Sequence, residues 1–151
     1  MKNIFMAAML CLVVAQANAR EVTVSNAWAR ATAPGQDSAT VSLHIVSQKD
    51  ASIVSVSSDA SASAEIHSMV MDGDMMRMRA LDALPLAAEK EVALGDDGNH
   101  LMLIGLKKPL AAGDTVPVTI IVQFGDKHKE AVQVKALVKP LTESREHMHH
   151  H

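Results

Sequence analysis

The chain is poor in cysteine and in aromatic residues, with one Cys, one Trp, two Phe and no Tyr in 151 residues. The one thiol, Cys11, lies in the apolar stretch near the N-terminus, so the rest of the chain can hold no disulfide, thiolate zinc site, thiol redox centre or thiolate-ligated blue copper. Basic runs are lacking as well. A net charge of −3, with so few aromatic rings to stack on bases, argues against a nucleic-acid partner. Long apolar runs are also missing: residues 4–14 fall short of the roughly 20 that a membrane-spanning helix needs.

That stretch has Lys2 before it and Ala17-Asn18-Ala19 after it, the pattern of an export signal cleaved before Arg20. Cys11 sits inside the apolar region, poorly placed for lipid modification. The expected organisation is a signal peptide at 1–19, one β domain at 20–140, and a polar tail at 141–151 without periodicity. A periplasmic monomer with no stable membrane insertion follows.

What the remainder does have is a two-residue period. Short β-branched stretches alternate with turn residues about every ten residues, as in an all-β sandwich or barrel. Strands are expected at 22–30, 40–46, 53–56, 64–71, 75–80, 91–94, 100–105, 115–124 and 130–138, about nine in all. Val41, Leu43 and Ile45 should face the core, with His44 outward. Residues 84–94 (LPLAAEKEVAL) are ambiguous, since their composition would also suit a short helix beginning near Pro85.

The informative segment is EIHSMVMDGDMMRMRAL, starting at Glu65, which holds five of the ten methionines. Two strands flank Asp72-Gly73, a favoured central pair for a type I′ hairpin turn. In that register His67 faces Met78, Met69 faces Met76 and Met71 faces Asp74. Period two puts His67, Met69 and Met71 on one face and Met76 and Met78 on the matching face of the partner strand. Downstream, His100 and Met102 share one side of a strand while Leu101 and Leu103 point into the core.

Methionine often fills irregular cores, and a lone histidine on a strand is usually solvated or hydrogen-bonded. The combination is what departs from that pattern: methionines concentrated in one hairpin, imidazoles on matching faces, and a leucine face already serving the core. Thioethers are soft neutral ligands that suit Cu(I) and bind Mg²⁺ or Ca²⁺ poorly, while Zn²⁺ normally asks for His, Cys or carboxylate. The predicted ion is Cu(I), with Ag(I) as its mimic. Met69 and Met76 are candidate auxiliary ligands.

The sequence resembles the periplasmic PCu(A)C copper-chaperone family, whose signature is His-x10-Met-x21-His-x-Met. His67, Met78, His100 and Met102 match that spacing in full. The resemblance extends through Ala27-Trp28-Ala29-Arg30, Ala33-Pro34-Gly35, MDGDMMRMR and HLMLIGLKKPLAAGDTVPVTI. It implies a cupredoxin-like Greek-key β-sandwich and a solvent-exposed Cu(I) site built from those four residues. It further implies delivery of copper toward the CuA centre of cytochrome c oxidase, with oxidase subunit II or a Sco-type protein as recipient, and favours strand and loop over helix for 84–94.

The tail carries His147, Met148, His149, His150 and His151. It is either a natural extension that captures metal, Cu(II) above all, or the remnant of a purification tag; the short histidine run and the interposed Met148 favour the former. No nucleophile elbow, phosphate loop or metalloprotease helix is present, and no enzymatic activity is expected. Sequestration of copper or silver as a resistance device is the alternative to delivery, and uses the same ligands.

Overall fold

The computed structural model describes residues 21–95 and 98–141, so the export signal and the His/Met tail lie outside the described residues. Ten strands make up the described chain: β1 (Val22–Arg30), β2 (Ser38–Ser47), β3 (Ala51–Ser57), β4 (Ser61–Asp72), β5 (Met75–Leu81), β6 (Leu84–Leu86), β7 (Val92–Leu94), β8 (Asn99–Leu106), β9 (Thr115–Phe124) and β10 (Lys129–Lys139). The all-β expectation holds. The tenth strand is β6, a three-residue piece in the ambiguous 84–94 segment. Leu84 and Leu86 are buried there while Pro85, which cannot donate to a ladder, faces out on an edge.

The strands follow one hydrogen-bonded path, β5-β4-β8-β2-β1-β10-β9-β3-β6, with β7 attached to β2. The sheet closes over a single apolar cluster, because each long strand buries alternate residues and those faces must cover one another. Val41, Leu43 and Ile45 of β2 meet Leu101 and Leu103 of β8, Ile66 of β4, and Val116, Val118, Ile120 and Val122 of β9 in that cluster. Every strand except β5 places a buried residue in it. Chain connections from β2 to β3 and from β3 to β4 cross between the two halves of the path, which gives the Greek-key character.

Two local devices shape the half that matters for function. β1 pairs with β2 through a register shift between Ser25 and Trp28, with Asn26 at φ 52, and only beyond that bulge does it also pair in parallel with β10. On the other side of β2, β8 pairs with Ser38 through Val41 and β7 takes over at Leu43. Gly95 lies at that handover with φ 108, and a Cβ there would run into the Ser42 hydroxyl.

Candidate metal centre

The hairpin β4–β5 pairs Met71 with Met76, Met69 with Met78, and His67 with Ala80, closing on Asp72 opposite Met75. The two-residue loop is therefore Gly73-Asp74, not Asp72-Gly73. Gly73 has φ 62, and Asp74 is not among the residues with positive φ. Positive φ at the first central position alone is the pattern of a type II′ turn, which asks for glycine at that place. The expectation that His67 faces Met78 is thereby corrected: Met78 is displaced by two residues and becomes a diagonal neighbour of His67. Because the displacement is even, every side chain stays on its predicted face.

Across the other edge of β4, His67 lies directly opposite His100, and Glu65 opposite Met102. β4 is thus the middle of three strands, and His67 is the hub of the outer face. His100 is its cross-strand partner. Met102 on β8 and Met78 on β5 are diagonal neighbours on opposite sides, each Cα roughly 8 Å from that of His67 for regular strand spacing, within reach of long side chains. Met69 follows His67 along β4, beside Met78. The structure places the four predicted ligands on one face around one imidazole, with Met78 and Met102 at opposite ends.

The hydrogen bonding of His67 is asymmetric. Its Nε2 lies 2.7 Å from Oε2 of Glu65. A carboxylate only accepts, so in the neutral ring Nε2–H donates and Nδ1 carries the free lone pair. Nδ1 is buried and has no partner among the described residues. Buried polar atoms are rarely left so, and a histidine that donates one N–H to a carboxylate while its other nitrogen stays bare has the arrangement found behind metal-bound imidazoles. The side chain of His67 is 17 % exposed, so the bare nitrogen lies close beneath the surface. Three hairpin thioethers, by contrast, stand in solvent, with Met71, Met76 and Met78 at 66 %, 60 % and 53 % exposure, while Met69 and Met102 are half-buried.

Glu65 was missed as a functional residue in the sequence, although Glu-x-His at strand spacing puts the carboxylate on the imidazole's own face. Two other histidines have structural partners. His44 Nδ1 is 2.8 Å from Oε1 of Glu91, across the β2–β7 pair. His128 stacks on Phe124 with ring centroids 4.6 Å apart, and its backbone and ring N–H groups point to Oδ1 of Asp126, holding that carboxyl below the usual carboxylate range. No group of three or more His, Cys, Asp or Glu suited to a metal occurs among the described residues, so any site on this face depends on sulfur.

Fold and face together define a class: an all-β, cupredoxin-like sandwich of the PCuAC type that presents imidazole and thioether donors on one sheet surface. The chain belongs to the LpqE-like family, described as "Putative lipoprotein LpqE-like", which matches residues 22–136. A protein of Leifsonia xyli subsp. xyli, also named a "Putative lipoprotein", is 32% identical over 115 residues, 76% of this chain and 69% of that protein. Among solved structures, Cu(I)-loaded DR1885 of Deinococcus radiodurans superimposes with a TM-score of 0.62 at 29% identity, covering 83% of each chain. The copper-bound PCuAC domain from PmoF2 superimposes at 0.64 with 19% identity, covering 80% of this chain and 94% of that one, a likeness of fold. These matches bear out the resemblance read from the His/Met spacing.

Proposed function

We propose that this protein is an exported copper chaperone that binds one Cu(I) through His67, His100, Met78 and Met102 and passes it to a copper-accepting protein. The observation that carries the reading is the bare, buried Nδ1 of His67, with His100 directly opposite and thioethers at both diagonals. Two imidazoles and two thioethers form a soft, neutral donor set that favours Cu(I) over harder divalent ions. The Cu(I)-loaded state of DR1885, the 29% identical structural relative, supports the choice of metal. Exposure of Met78 allows an acceptor to displace that ligand first, which suits transfer better than permanent storage.

Anaerobic titration against a chromogenic Cu(I) chelator tests the assignment. Replacing Met78 and Met102 together by Leu should weaken Cu(I) binding by more than the roughly 10–100-fold that loss of an outer-shell partner costs. Unchanged affinity would remove both residues from the site.

Delivery toward the CuA centre of cytochrome c oxidase, directly or with a Sco-type protein, is the proposed destination. A gene deletion that lowers oxidase activity at low copper and is rescued by added copper supports delivery; a strain impaired only in surviving high copper supports sequestration instead. Export is proposed through cleavage before Arg20. The relatives are named lipoproteins, so the N-terminus of the secreted protein is informative: mass spectrometry should find Arg20 first, and an acylated Cys11 would contradict it.

A further inference from the structure

The β4–β5 hairpin carries more thioethers than one four-ligand site can use. Met69 pairs with Met78 and Met71 with Met76 on successive rows of the outer face, a two-by-two array extending from His67 toward the hairpin tip. Directly paired residues have Cβ atoms about 5 Å apart, and successive rows are separated by about 7 Å, so flexible methionine side chains can bring three sulfurs to one point. Core packing does not account for the array: β5 contributes no fully buried residue, and Met71 and Met76 are 66 % and 60 % exposed. Large apolar side chains held out in water as a group call for a binding role. No group of three or more His, Cys, Asp or Glu that could hold an ion occurs among the described residues, so the thioethers are the donors this face can gather at one point. Of the two carboxylates beside the turn, Asp72 is paired with Arg77 at 3.2 Å, which leaves Asp74 to offset the charge of a cation held by neutral ligands.

We infer that the thioethers of Met69, Met71 and Met76 form a second site for a soft monovalent cation, Cu(I) or Ag(I), occupied while the His67 site is also filled. This rests on reading the face as a soft-metal surface. The Met69–Met78 row lies between the two sites, so an ion at the tip is one row from the hub and can move inward by exchanging one thioether for the next. The array is the outer station through which copper enters or leaves.

Methionine methyl NMR on the full chain, with ¹³C at each S-methyl group, resolves the two sites residue by residue. During titration with Ag(I), the first equivalent should shift the Met102 methyl and the second should shift those of Met71 and Met76. In Met71→Leu/Met76→Leu protein, the shift of Met102 with the first equivalent should persist, showing intact fold and hub, and the stoichiometry on the β domain should fall from two to one. A second equivalent that leaves Met71 and Met76 unmoved, whether it goes to Met148 in the tail or stays free, would overturn the outer site. Met102 belongs to the hub alone, so failure of the proposed main site, a still Met102 methyl, is read separately.

Discussion

Of the two ring nitrogens of His67, one is held by Glu65 at 2.7 Å and the other is buried and bare. That division of labour fixes the tautomer and the ring orientation before any ion arrives, so less ordering remains to be done on binding. The carboxylate should therefore matter for affinity without being a ligand. Glu65→Ala is expected to weaken Cu(I) binding by about 10–100-fold, whereas Glu65→Gln, whose amide oxygen still accepts from Nε2–H, should retain most of it. Equal losses in the two variants, measured by chelator competition, would indicate that charge or ligation and not orientation is what Glu65 supplies. The role was hidden in the sequence because a carboxylate two residues from a histidine is common on exposed strands, and only the 2.7 Å contact in the structure separates this one from a solvated neighbour. His44 makes the same point in reverse: it has a carboxylate partner too, but that partner, Glu91, stands just before β7 and no thioether row adjoins it.

At the scale of elements, the hairpin turn decides which sulfur stands beside which ring. Asp72-Gly73-Asp74 contains both an Asp-Gly and a Gly-Asp dipeptide, and each suits a two-residue hairpin, as type I′ or type II′. Local chemistry thus left two registers open, two residues apart, and pattern could not separate them because both keep the same side chains on the same face. The structure takes the one with Gly73 first, at φ 62. A Gly73→Val substitution puts a β-branched residue in a left-handed conformation and should cost about 1–3 kcal/mol in thermal or chemical unfolding, while Gly73→Asn should be tolerated much better. Similar stabilities for the two variants would show that the turn is not held in this form. The longer strands were legible for a different reason: β1 and β9 occupy the residues that alternation predicts because each has one face in water and one in the core. β6 escaped notice, being three residues of a segment whose Ala, Glu and Lys content favours helix, and it is tertiary pairing of Leu84 and Leu86 with β3 that makes it a strand.

For the whole molecule, the central fact is that β8 pairs with β4 although β5, β6 and β7 lie between them in the chain, setting His100 against His67 and Met102 against Glu65. Sequence spacing showed two His-Met pairs, and the family resemblance linked them, but their juxtaposition is a property of the strand order in the sheet. The leucines behind the face explain how the placement is kept rigid: Leu101 and Leu103 alternate with His100 and Met102 and are fully buried, so the proposed ligands on β8 cannot turn away from the face without opening the core. On the β5 side only the partly buried Leu81 packs against the core, and Met78, at 53 % exposure, is the more accessible of the two thioethers and the proposed first ligand to release to an acceptor. The most direct test of the account is X-ray absorption at the copper edge of protein loaded with half an equivalent of Cu(I), so that the tightest site alone is populated. The prediction is a first shell of nitrogen and sulfur in equal number, two imidazoles with two thioethers. A shell of oxygen and nitrogen without sulfur, or of sulfur without imidazole, would contradict it.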